Sequence, residues 1–342
     1  RRDPPRPPHG GGNPGCPAPP GPPPPRPPPG AAEAEPETTG AETPAYTLTQ
    51  RGDTFPIRTW GQVVELGEES LTLENSQEDS AYQKLVVNVD EDTLILDAVT
   101  GETRTFSDIR QGETLYAWVG PVMTRSIPPI TTARLLLCGL PEDVGAPIYS
   151  EVQSVTQTED GVDVYVTGEV ILHLNSETEL LTAPGAEQAA LTDIVPGTRL
   201  LSWYSITTLS LPAQATPTKV MVFPSAYSGW VSAQGLTVSL NGQALDLTGD
   251  QAPRVEDGRL LVPVRAVAEA LGCTVSWEPY TNQVVVSRED TELYRFTIGQ
   301  DQAVMGDVTV GLVAPSKAEA GVTLMALDDL IVLHSLKLET SF

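Results

Sequence analysis

Two stretches of this chain repeat each other 85 residues apart, and that duplication limits the fold more than any other feature. Asp108-Ile109-Arg110-Gln111-Gly112-Glu113-Thr114-Leu115-Tyr116-Ala117-Trp118 aligns with Asp193-Ile194-Val195-Pro196-Gly197-Thr198-Arg199-Leu200-Leu201-Ser202-Trp203, and Asp, Ile, Gly, Leu and Trp coincide. The same offset places Thr93 on Thr178 and Arg134-Leu135-Leu136-Leu137 on Lys219-Val220-Met221-Val222. Upstream, Gly61-Gln62-Val63-Val64 resembles Ser150-Glu151-Val152-Gln153 after a short gap. One unit therefore occupies residues 46–144 and its copy 145–226.

Both units read as β. Ser70–Glu74 and Val162–Val166 alternate apolar and polar residues, the period of a half-buried strand. The Asp-Ile-x-x-Gly segment breaks that pattern and reads as a short turn, with Gly112 or Gly197 at a positive-φ corner before the next strand. About five short strands around one such turn fit a small antiparallel barrel of OB type, and the units resemble the OB-like repeat domains of secreted bacterial proteins. Barrels of that type bind oligosaccharides or oligonucleotides, which makes the equivalent Trp118 and Trp203 the candidate stacking platforms for a ligand. The plainer alternative is that both are core residues, repeated because the fold is repeated. Leu115 and Leu200, three positions earlier, face the other side of the strand.

Charge narrows the partners. Asp and Glu number 45 against 20 Lys and Arg, a net charge of −25, which repels nucleic-acid phosphates and anionic lipid. No run of apolar residues reaches the roughly 18 that a membrane span needs. The first 30 residues contain 15 Pro, with four Arg and one Asp. With an acidic stretch behind it, this tract (1–45) reads as an extended or disordered tail, and the acidity belongs to the folded part. Gly15-Cys16 lacks the apolar core that lipid attachment requires. The chain opens on Arg1 with no apolar signal core, so any secretion signal is expected to lie outside this sequence. Cys138 and Cys273, each in an apolar stretch, read as two buried thiols rather than a disulfide.

From Gly229 the texture changes. Leu236–Gln243 is a strand running into an Asn241-Gly242 turn, a hairpin signal. Next, Pro263 suits a first helical turn, Val264, Val267, Ala268 and Leu271 share one helical face, Arg265 and Glu269 stand four apart, and Gly272 supplies a left-handed cap. Strands follow at Cys273–Trp277 and Gln283–Ser287 across a Tyr280-Thr281-Asn282 turn. This order of Asn241-Gly242, Gly258-Arg259-x-x-Val262-Pro263-x-Arg265-x-x-x-Glu269-x-Leu271-Gly272 and Val275-x-Trp277 resembles the stalk domain of Gram-positive surface proteins, the module named after the N-terminal domain of copper amine oxidases. A second half is weaker: Met305 stands where the turn Asn belongs, and Gly321–Leu330 lacks the Pro and Arg of the first helix while still fitting one.

The resemblance implies a spacer, adhesion or wall-associated unit and no copper chemistry. Copper sites need converging imidazoles, and the chain has only His9, His173 and His334, in three different blocks. No phosphate loop, nucleophile elbow or zinc-spaced Cys pair occurs. Asp90-Glu91-Asp92 reads as a solvated turn rather than a calcium loop, and Arg51-Gly52-Asp53 as a chance match to an adhesive tripeptide. The expected fold class is mainly β with an α+β C-terminal domain: two tandem small antiparallel β-barrel (OB-like) repeats, then a stalk domain of strands plus short helices over 227–342. The expected protein is non-enzymatic, extracellular or on the cell surface, and needs no cofactor or metal. Its partners would be cell-wall glycan or other envelope proteins. The alternative is a glycan- or peptidoglycan-binding module working through Trp118 and Trp203.

Overall fold

A computed structural model of the chain describes residues 45–51, 55–77, 82–142 and 144–340. The Pro-rich tail up to residue 44, with His9 and Cys16, and Gly52-Asp53 of the tripeptide lie outside the described residues.

The first repeat holds β1 (Ile57–Leu66), β2 (Ser70–Glu74), β3 (Lys84–Asn88), β4 (Leu94–Asp97), β5 (Thr114–Val119) and β6 (Ile130–Cys138). Antiparallel pairings β1–β2, β2–β3, β1–β5 and β5–β6, with β3 parallel to the first part of β6, close a five-stranded barrel; β4 lies parallel to the last part of β6. Alternate residues Val63, Leu71, Leu73, Leu85, Val87, Leu115, Ala117 and Leu136 fill its interior. The repeated turn now has a physical reading. Asp108 Oδ2 accepts the Thr105 N–H at 2.8 Å over a single 3₁₀ turn, Ile109 is buried in the barrel, and Gly112 turns the chain at φ +91°. In the copy Asp193 accepts the Ala190 N–H at 2.8 Å, Ile194 is buried and Gly197 also has φ +91°.

The second repeat runs through β7 (Ile148–Gln157), β8 (Gly161–Val166), β9 (Val170–Asn175), β10 (Glu179–Thr182), β11 (Arg199–Trp203), β12 (Ala213–Ala215) and β13 (Lys219–Phe223). Here the closing strand is broken by Thr216-Pro217-Thr218, where Pro217 has no N–H for a ladder. The sheet remains a seven-stranded half-barrel, in the order β10-β13-β11-β7-β8-β9-β12. The offset of 85 does not hold along this strand. Trp118 faces Leu135 and Trp203 faces Lys219, while Ala117 faces Leu136 and Ser202 faces Val220. Leu135-Leu136-Leu137 therefore corresponds to Lys219-Val220-Met221, one residue away from the sequence alignment. The loop before β13 is one residue shorter, and a one-residue slip changes which face every side chain takes.

The two repeats meet through equivalent surfaces. Leu96, Ala98, Trp118 and Leu137 of the first repeat join Tyr149, Ala183, Leu201 and Met221 of the second in one buried cluster between them, with Leu181 and Trp203 partly buried at its margin. Each Trp-bearing strand is thus two-sided: Leu115 and Leu200 face a barrel interior, while Trp118 and Trp203 face the other repeat.

The C-terminal part contains β14 (Gly229–Gln234), β15 (Thr237–Leu240), β16 (Gln243–Ala244), β17 (Arg254–Glu256), β18 (Arg259–Pro263), α1 (Val264–Ala270), β19 (Thr274–Glu278) and β20 (Gln283–Arg288). After these come β21 (Thr291–Thr297), β22 (Gln302–Met305), β23 (Val308–Gly311), β24 (Lys317–Glu319), β25 (Val322–Ala326), α2 (Leu327–Leu333) and β26 (Leu336–Leu338). Three sheets form, β16-β15-β14-β26, β17-β18-β25-β24 and β19-β20-β21-β22-β23. The only α-helices among the described residues are these two short ones, each following a strand, and the two strands pair antiparallel through Val262 and Met325. Val264, Val267 and Ala268 of α1 share one core with Leu327, Leu330 and Ile331 of α2. Pro263 ends β18 and caps α1 from outside, one position before the first helical turn expected of it. Gly272 takes the left-handed position after α1 (φ +74°), and Ser335 takes it after α2 (φ +51°).

The segment ahead of the first barrel lies along the C-terminal domain. The Tyr46 hydroxyl donates to Gly235 O at 2.7 Å, and the Thr49 N–H donates to Asp328 Oδ1 at 3.1 Å. Arg51 Nη1 pairs with Asp329 Oδ1 at 2.8 Å. The Gln50 side chain accepts the Leu338 N–H at 2.6 Å and donates to Leu336 O at 3.1 Å, so the first and last parts of this folded body touch.

Candidate functional site

Three motif residues of the C-terminal domain, Pro263, Arg265 and Trp277, line one groove. It has a volume of ≈ 470 Å³ and runs between the start of α1, the β19–β20 hairpin and the β24–β25 hairpin. Arg265 Nη1 donates to Val275 O at 2.9 Å and reaches Glu269 Oε1 at 3.3 Å, which holds β19 against α1. Asn241 (φ +50°) and Gly242 (φ +77°) make the tight turn after β15, and Asn241 Oδ1 accepts the Trp230 N–H at 2.9 Å.

Trp277 is the unusual member. It pairs across the sheet with Val284, which is 2% exposed in the core, so both side chains leave the sheet on its inner face. Trp277 nevertheless remains 58% exposed, because the core ends beneath it. Pro263, Val264, Val322 and Ile298 form apolar walls beside it, and Gln251 and Asn282 add planar hydrogen-bonding groups. Among the described residues no carboxylate lines the groove. β19 and β24 are both edge strands. Sequence reading placed Trp277 in the structural motif and did not see the groove; its position at the end of an inward-facing Val275-x-Trp277 row was the available signal.

The repeat tryptophans sit elsewhere. Trp118 is 1% exposed and packs edge-on against Tyr149 with ring centroids 5.7 Å apart. Trp203 donates its indole N–H to Ala98 O at 2.8 Å, and Lys219 Nζ lies 4.4 Å from its ring. Both therefore belong to the junction between repeats, and Trp118 has no open face on which a ligand ring can stack.

Titratable groups are otherwise engaged. Asp163 Oδ1 lies 2.7 Å from His173 Nδ1 and raises the imidazole pKa, with Gln214 Oε1 at 3.2 Å from Nε2. Burial pushes His334 down to about 4, and its Nε2 lies 2.8 Å from the Tyr294 hydroxyl. Cys138 and Cys273 are free buried thiols, and burial pushes Cys138 up to about 11. Asp90 closes a turn by accepting the Asp92 N–H at 3.2 Å. Among the described residues no three His, Cys, Asp or Glu side chains come together as metal ligands. The two described imidazoles are committed to different neighbours, so these residues do not fit a copper centre. Among the described residues no helix is long and apolar enough to cross a membrane.

No curated protein and no solved structure matches the chain. Residues 239–331, from within β15 to within α2, match the family model of the copper amine oxidase N-terminal domain.

Proposed function

We propose that this is a non-catalytic bacterial surface protein whose C-terminal stalk domain grips an extended envelope polymer, cell-wall glycan, in the Trp277 groove. The observation that carries the reading is an indole on the inner face of a sheet with no core beneath it. Sugar rings present apolar faces that pack on an indole, and their hydroxyls match planar groups such as Gln251, Asn282 and Arg265. A groove without carboxylates, in a chain this acidic, offers nothing to a cationic ligand.

The two repeats, the first closing its five-stranded barrel through the parallel β3–β6 pairing as small OB barrels do, serve in this reading as the frame that carries the stalk domain. Contact of Gln50 with Leu336 and Leu338 argues against a spacer that transmits its length end to end. A module hung from one side of its attachment fits better, working outside the cell without cofactor or catalytic residues. Pull-down on purified Gram-positive wall sacculi tests this. Trp277→Ala, at an exposed position, is expected to fold normally and to retain less than a tenth of the bound protein. Undiminished binding would overturn the assignment.

A further inference from the structure

The loop between β5 and β6, and its copy between β11 and β12, are built on one hydrogen-bonded frame. Thr124 Oγ1 and Ser126 Oγ lie 2.6 Å apart, the Ser126 hydroxyl donates to Pro128 O at 2.8 Å, and the Ile130 N–H donates to Thr124 Oγ1 at 2.9 Å. In the copy Thr208 and Ser210 lie 2.6 Å apart, Ser210 donates to Pro212 O at 2.7 Å, and the Gln214 N–H donates to Thr208 Oγ1 at 2.9 Å. Thr, Ser and Pro make this frame. The aliphatic side chains on it make none of it and lie in solvent: Val122 is 83% exposed and Ile127 100%, matched in the copy by Ile206 at 80% and Leu211 at 85%, with Leu209 at 104% between them. These are the five most exposed aliphatic side chains of the described residues.

Charge is arranged around them. No Asp or Glu occurs between Glu113 and Glu142, or between Asp193 and Asp246; these are the two longest carboxylate-free runs beyond residue 45. Two aliphatic positions kept exposed in both copies, on carboxylate-free stretches of a strongly acidic chain, mark a contact surface. We infer that these paired loops are where a second copy of this chain docks, apolar tip against apolar tip. The chain is polyanionic, so two copies meet with least like-charge repulsion through stretches that carry no carboxylate of their own. A contact of this kind strengthens as salt screens the remaining charge, whereas an interface of ion pairs weakens.

Sedimentation velocity on the full chain over a concentration series, at low and high salt and without lipid, tests the inference against the double variant Ile127→Ser/Leu211→Ser. Both positions are solvent-exposed, so an unchanged circular dichroism spectrum and Tm verify folding. The wild type is expected to self-associate, more tightly at high salt, and the variant at least tenfold more weakly. A wild type that stays monomeric overturns the inference. So does a variant that associates as well as the wild type, or an association that salt dissolves.

Discussion

Glu151 on β7 and Lys337 on β26 join the second repeat to the C-terminal domain through a buried ion pair. The two charges are 2.8 Å apart with side chains 3% and 5% exposed, and Arg199 Nε reaches the same carboxylate at 3.3 Å. At an effective dielectric of about 20, those separations correspond to attractions of about 6 and about 5 kcal/mol. Desolvation consumes most of that gain, so the net worth of the cluster is small while the loss on breaking it is large. Glu151→Gln keeps the shape and leaves Lys337 buried without its counter-charge, and is expected to cost about 3–5 kcal/mol. Lys337→Met leaves Glu151 its Arg199 partner and is expected to cost about 1–3 kcal/mol. Lys337→Met with Glu151→Leu should cost less than Glu151→Gln alone, because Arg199, over the Phe55 ring at 5.7 Å, keeps part of its side chain in solvent. Urea denaturation at pH 7 followed by circular dichroism gives the free energies. Hydrogen exchange at β26 shows whether the loss falls on this junction. Glu151→Gln costing less than Lys337→Met, or under about 1 kcal/mol, would refute the reasoning.

Other positions give independent tests. His334 binds a proton at about 6.5 when unfolded and only at about 4 when folded, so stability present above pH 6.5 is lost as pH falls towards 4, by about 3 kcal/mol; a thermal-melt series in which His334→Gln kept the same pH slope would exclude this origin. Trp118→Ala opens a cavity between the repeats and should cost about 3–5 kcal/mol. Trp203→Ala, which loses one hydrogen bond and half-buried packing, should cost about 2 kcal/mol; denaturation curves that reverse this order would misplace the junction. An added Cβ at Gly272 meets nothing within 4 Å, so Gly272→Ala isolates the left-handed backbone penalty of about 1–2 kcal/mol. Gly311→Ala, also in open space but not at positive φ, should leave Tm unchanged.

Local rules carried the sequence reading a long way. The duplicated Asp, Ile and Gly each have a local task (cap, barrel plug, left-handed corner), and local tasks leave marks at fixed spacing. The Asn241-Gly242 turn and the Gly272 cap were readable for the same reason. Non-local features were not. The one-residue slip at β13 follows from a loop one residue shorter, and only the cross-strand partners of Trp118 and Trp203 expose it. Residues 45–51 lie on a domain far along the chain, through Gln50 and Arg51, whose partners stand 286 and 278 residues away and which look like any surface residues in sequence. Trp118 and Trp203 showed which face of the strand they take, but not that another repeat covers that face. Trp277 showed the reverse: an inward register position with no neighbour above it.

The most direct test of the account is the environment of Trp277 with a ligand present. Acrylamide quenching of tryptophan fluorescence, in the wild type and in Trp277→Phe, isolates the signal of this one exposed indole. With soluble oligosaccharide fragments of Gram-positive peptidoglycan, the account predicts that this component shifts to the blue and becomes protected from the quencher. Fragments that bind the protein while leaving Trp277 as accessible as before, or that do not bind at all, would contradict it.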